Sequence, residues 1–258
     1  MRLYGHAVAI QLASQLEYRS SFWLMLLGQV LTSFGALLGV WFMMERFHSV
    51  AGFTQADVLL CFASVLMAFS LAETFFRGFD QFPALLADGR FDRMLLRPAP
   101  LILQVLTGTI EFTRFGRLVQ GFIVFCWALP RVAVVWTPGH VAVLALMLLM
   151  NTFVFACLFV LYAGICFFTI EGLEFMNIFT DGGREFGAYP YAIYGKRVLQ
   201  ILTCLVPLAL VQYYPLLWLT GRSTSILHAL APLGALFFIL PTALVWRLGL
   251  RRYRSTGS

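Results

Sequence analysis

Arginine is bunched where the chain is set to turn. Arg90, Arg93 and Arg97 fall within eight residues, interleaved with Asp88, Gly89 and Asp92 and closed by Pro98. Guanidinium groups at this spacing form ion pairs and forked hydrogen bonds with carboxylates, which is recognition chemistry rather than bond making. Leu85, Leu86, Met94, Leu95 and Leu96 alternate with them. The stretch therefore predicts a short amphipathic helix outside a membrane, turned at Asp88-Gly89 and stopped by Pro98 and Pro100. Leu85, Asp88, Gly89, Arg90, Asp92, Arg93, Leu96, Arg97 and Pro98 are the candidate docking residues for a cytoplasmic partner. Glu73 and Arg77, at i and i+4, predict a helical ion pair. With Glu171 and Glu174, at i and i+3, they are further candidate contacts for that partner. Gln29, Thr32, Ser33, Asn151 and Thr203 are neutral polar residues inside apolar runs, placed to bond neighbouring helices or line a path.

No set of residues supports covalent catalysis. The five cysteines lie in apolar runs without a CxxC pair, and the four histidines are scattered without an HExxH, so no metal site is expected. Ser223 follows Gly221-Arg222, but there is no GxSxG, and His228 reads as a lone interfacial histidine rather than its base. A GxxxxGK[ST] phosphate loop is missing, and Gly195-Lys196-Arg197 is no substitute. If transport is active, the energy must come from a separate polypeptide. An ion-coupled carrier would place acids or histidines deep in the bilayer. The deep membrane is expected to be nearly free of them.

The elements that must position these residues are membrane spans. Of 258 residues, 60% are apolar and 12% charged, with a mean hydropathy of +0.84. Soluble domains carry about 25% charge, so a soluble enzyme is excluded, as is a disordered chain. The net charge of +6 gives no sign of nucleic-acid binding, because membrane proteins collect cations in their inner loops. Charge-free windows predict six helical spans near 22–44, 57–78, 110–130, 140–167, 197–217 and 226–248. Arg114 and Arg117 are expected to snorkel from the third. Pro207, Pro215 and Pro241 are expected to kink their helices without breaking them. Thr54-x-x-Asp57 reads as a capping box opening the second span, and Pro138-Gly139 opens the fourth.

With six spans the loops fall into two sets, and fifteen of the eighteen cations lie on one side. Arg46, Arg131 and Arg222 are the three on the other. Both termini are thus expected to be cytoplasmic. The chain reads as one domain, 1–258. Within it, 1–21 is an interfacial segment, 80–100 the docking region, 168–197 a second cytoplasmic connection and 249–258 a basic tail.

Two stretches resemble a known family. Leu86-x-Asp88-Gly89-x-x-Asp92-x-x-Leu95-x-Arg97-Pro98 is similar to the segment between the second and third spans of ABC-2 type permeases of ATP-binding-cassette transporters. Tyr189-Pro190-x-x-Ile193-Tyr194, then Pro207, Tyr213-Tyr214-Pro215 and Gly221, resembles their later motif. The resemblance implies an all-α membrane protein of six transmembrane helices with an ABC-2 exporter-like (type V) fold, in the bacterial inner membrane. It implies a second permease subunit, identical or paralogous, and two separate ATPase subunits that bind the ATP and Mg, this chain holding no cofactor. It makes 80–97 the helix that docks on the ATPase, and lays 4–20 along the inner interface. It also implies alternating access, with export of an amphipathic or hydrophobic substrate such as a drug, lipid or natural product. An ion-coupled secondary carrier or channel, and a membrane scaffold that recruits an ATPase without transporting, stay open as alternatives.

Overall fold

A computed structural model describes residues 2–169 and 177–253 of the chain. These residues are helical almost throughout; beyond the helices, a single bridge pairs Val50 with Phe53. The chain opens with α1 (Arg2–Glu17), α2 (Arg19–Phe47) and α3 (Gln55–Asp80). Two six-residue helices follow, α4 (Phe82–Ala87) and α5 (Arg90–Leu95), then α6 (Leu101–Gly108), α7 (Phe115–Ala128) and α8 (Pro138–Cys166). After the undescribed stretch come α9 (Asp181–Gly187), α10 (Lys196–Cys204), α11 (Leu208–Val211) and α12 (Tyr213–Leu219). The last helices are α13 (Ile226–Gly234) and α14 (Ile239–Arg252), joined by a 3₁₀ turn.

Local chemistry sets the helix starts. Thr54 Oγ1 accepts the Asp57 N–H at 3.4 Å while Asp57 Oδ2 accepts the Thr54 N–H at 3.0 Å, so the expected capping box is complete. Thr137 caps α8 through the His140 N–H, with Pro138 in the first turn, where its missing N–H costs nothing.

Four helical runs are long and apolar enough to cross a bilayer: Arg19–Phe47, Gln55–Ala87, Pro138–Cys166 and Ile226–Arg252. The pair Lys196–Cys204 and Leu208–Leu219 makes a fifth, bent by 88° at its break. The remaining expected span, 110–130, is the 14-residue α7 extended by 3₁₀ turns at Phe112–Arg114 and Leu129–Arg131. The bend corrects the expectation that Pro207 would only kink its helix. Pro207 has no N–H to continue the ladder, the Leu205 and Val206 N–H groups both turn back to the Ile201 carbonyl, and the two halves separate.

α3 is the axis of the bundle. Of its most apolar window 83% is buried, against 11% for α2, so α3 is packed on all sides while α2 lies at the edge. α3 and α8 share the main core through Phe69, Phe155 and Phe159, with Phe69 and Phe155 edge to face at 5.1 Å. α1 is fixed to the connector before α7. Gln11 donates to the Gly108 carbonyl at 2.8 Å, and Gln15 binds the Ile110 carbonyl and accepts the Phe112 N–H.

Candidate functional site

The arginine-rich stretch forms a hairpin. Gly89 has φ +63°, the left-handed conformation that lets α4 reverse into α5 and that a side chain would strain. One face of the hairpin is buried. Phe82 and Phe91 are fully enclosed and stand edge to face at 5.2 Å. Phe82 meets Trp246 at 5.5 Å, and Phe91 meets Tyr253 at 5.0 Å, so these rings tie the hairpin to α14. The Tyr253 hydroxyl donates to Asp92 Oδ1 at 2.9 Å, and burial followed by the Asp92 carboxylate pushes that hydroxyl up to about 12.

The candidate docking residues therefore divide. Asp88, Arg90, Arg93, Leu96, Arg97 and Pro98 are exposed, with Leu96 at 87%. Leu85 is half-buried, Gly89 makes the turn, and Asp92 faces back to Tyr253. Arg90 pairs with Asp88 at 2.8 Å.

Beside the hairpin lies a charge cluster that sequence reading found only in part. The expected Glu73–Arg77 pair is present at 3.6 Å, but Glu73 also holds Arg114 at 3.1 Å and, closer still, Arg117. Arg77 bonds Asp80 at 2.5 Å and Glu111 at 3.3 Å, and Arg114 bonds Glu111 at 2.8 Å. Three carboxylates thus face three guanidiniums, and the group clamps α3 to the start of α7. Arg117 does not snorkel. It is 4% exposed, and burying a guanidinium costs several kcal/mol unless a counter-charge is built beside it, which Glu73 supplies. Glu73 itself is 5% exposed and occupied by arginines of its own chain. Glu171 and Glu174 lie outside the described residues.

The segment around α9, expected as a cytoplasmic connection, runs up into the bundle. Asp181 lies within electrostatic reach of Glu73 and Asp80. Seven residues further, Ala188 packs with Leu59 and Phe62 of α3, and Tyr191 is fully buried. A Cβ built on Gly187 would stand 2.8 Å from Val65 Cγ2, so only glycine allows this approach. Arg184 lies over the Phe69 ring at 5.2 Å and pairs with Glu185 at 2.6 Å. This segment brings Arg184 to Phe69 in the middle of α3, and the charge cluster brings Arg117 to the same ring.

Four elements meet at Gln212. Its Nε2 donates to the Gly187 carbonyl at 2.9 Å and the Cys61 carbonyl at 3.0 Å, and its Oε1 accepts from Asn151 Nδ2 at 2.7 Å. Every heavy partner is buried, where a missed hydrogen bond is expensive. Of the candidate pathway residues, Asn151 is sealed in this knot. Thr32 and Ser33 line a small pocket with Arg117, Arg184 and Glu185. Ser33 also meets the Gln120 side chain across α2 and α7. Gln29 is half-buried on α2, and Thr203 on α10 bonds its own helix at the Leu199 carbonyl.

Two signals for the missed residues are visible in retrospect. Gly182, Gly183 and Gly187 supply the small surface that a buried helix needs. Gln212 is a lone amide in an otherwise apolar run, which in lipid calls for a partner. Ser223 and His228 are not far apart either: His228 Nδ1 lies 2.7 Å from Ser223 Oγ. The same hydroxyl also accepts the Ser225 N–H, so the pair clasps the loop that opens α13.

The family model described as ABC-2 family transporter protein matches residues 30–257, from within α2 to past the end of α14. No curated protein and no solved structure matches the chain.

Proposed function

The chain belongs to the ABC-2 family of transporter proteins, and from that premise we propose that it is the six-span permease subunit of an ATP-binding-cassette exporter driven by separate ATPase subunits. Two permease subunits, identical or paralogous, would form the pathway, with two ATPases beneath them holding ATP and Mg. The observation that carries this reading is the two-faced hairpin. Its inner face is fixed to the last span by aromatic rings, while Arg93, Leu96 and Arg97 project from its outer face. A force applied to that outer face reaches α3 and α14 without a flexible joint, as a coupling element requires.

The proposed cycle is alternating access in the bacterial inner membrane, with both termini cytoplasmic. ATP closes the ATPase pair, the hairpins move with it, and the permease pair reorients toward the far side. The substrate class is amphipathic or hydrophobic. Glu73 is held by three arginines and is not a free acid for proton coupling, which counts against an ion-coupled carrier.

The test is a double charge reversal, Arg93→Glu with Arg97→Glu, in the complete transporter. The ATPase is expected to be lost on co-purification, and substrate-stimulated hydrolysis to fall by at least about tenfold, while the permease still elutes as a folded species. Unchanged coupling removes the docking assignment. Complex formation without substrate-stimulated hydrolysis in the parent protein would favour a scaffold, and transport without any ATPase a carrier.

A further inference from the structure

Between the hairpin and α6 lies a groove of about 810 Å³, open at the end of α3. That volume is in the range of a small-molecule site. Its floor is apolar, with Leu85, Met94, Leu103 and Val105. Its rim carries Arg90, Arg93 and Arg97. Arg90 is occupied by Asp88, and the groove's one carboxylate, Asp80, is held by Arg77. Arg93 and Arg97 have no ion pair among the described residues, so the groove keeps two unbalanced positive charges over an apolar base.

Gln104 fixes the back of the groove. Its Nε2 closes the back wall by donating to the Met94 carbonyl at 3.0 Å and the Ala99 carbonyl at 2.9 Å. On α6, Ile102 and Leu103 are exposed and extend the apolar floor.

We propose that this groove binds the headgroup of an anionic glycerophospholipid. The phosphodiester meets Arg93 and Arg97, and the acyl chains leave along Leu103 and Ile102. The chemistry matches on two counts: anionic phosphate for the guanidiniums and hydrocarbon for the floor. The site goes beyond the transporter assignment; it shares Arg93 and Arg97 with the proposed ATPase contact, so lipid and ATPase compete for them where both are present.

Native mass spectrometry of the purified full-length chain tests it, by titration with phosphatidylglycerol or phosphatidylcholine. One phosphatidylglycerol per chain is expected, held about tenfold more tightly than phosphatidylcholine. Ala84→Phe fills the groove from an exposed helix position without altering charge, and Arg93→Gln removes one guanidinium. Each is expected to lower phosphatidylglycerol retention by about tenfold. If one variant fails to give a monodisperse chain, the other decides. Equal retention of the two lipids, or unchanged retention in the folded variants, overturns the proposal. Loss of the lipid to an excess of inorganic phosphate or glycerol phosphate also overturns it, because the site would then belong to a soluble anion. Whether the ATPase docks at Arg93 and Arg97 is read separately, by co-purification.

Discussion

The stretch after α3 and the stretch after α8 are similar in kind and opposite in placement. Each follows a long apolar helix, and each carries acids, arginine and glycine. The first stays outside the bundle as a hairpin and exposes its arginines. The second enters the bundle and lays Arg184 on the ring of Phe69. The difference lies in the glycines and the aromatics. The hairpin has one glycine, used for its turn, and large rings at Phe82 and Phe91 that can only be buried from one side. The α9 segment has three glycines in six residues and so presents backbone, not bulk, to α3 and α8. Charge alone does not distinguish the two. Small side chains decide which one a membrane bundle can admit.

The comparison can be broken most severely at its charges. Glu73→Gln leaves Arg117 without its carboxylate in a buried setting and Arg114 with Glu111 alone, and is expected to cost about 3–5 kcal/mol of stability. Asp88→Asn, which breaks the exposed pair with Arg90, should fall within about 1 kcal/mol. Thermal unfolding in detergent reads both, and equal effects would mean that the buried cluster is solvated.

The glycines come next. Gly187→Val must displace Val65 and the Tyr191 hydroxyl, and is expected to destabilise by about 1–3 kcal/mol. The loss should be accompanied by maleimide labelling of Cys61, which the native knot buries. If Gly187→Val is silent, the segment does not pack against α3. The smallest effect belongs to the hairpin's tie. Tyr253→Phe keeps the rings with Phe91 and Phe167 but drops the hydroxyl bond to Asp92, for about 0.5–1.5 kcal/mol. Its mark should be faster hydrogen exchange confined to α4 and α5.

Much of the architecture was legible from residues. The Thr54 and Asp57 capping box, the start at Pro138, the turn at Asp88-Gly89 and the stop before Pro98 all follow from local chemistry that tertiary contacts leave unchanged. The hairpin's exposed arginines were legible for the same reason. What stayed hidden depends on distant partners. Nothing near Arg117 in sequence announces that Glu73, 44 residues away, will hold it inside the bundle. Nothing near Gln212 announces Gly187 and Cys61. Counting cations assigns residues 168–197 a side of the membrane and is silent on the neighbours each arginine finds. Arg184 finds a carboxylate at Glu185 and a ring at Phe69. The break at Pro207 was legible as a perturbation, but its size of 88° comes from the packing of the two halves.

The edge-to-face cluster of Phe82, Phe91, Phe167, Trp246 and Tyr253 has a practical corollary. These residues join the hairpin to the last helix through ring contacts. A fluorophore or affinity tag set close to residue 253 would press on that cluster. A label on α2, whose flank is open, would leave it undisturbed.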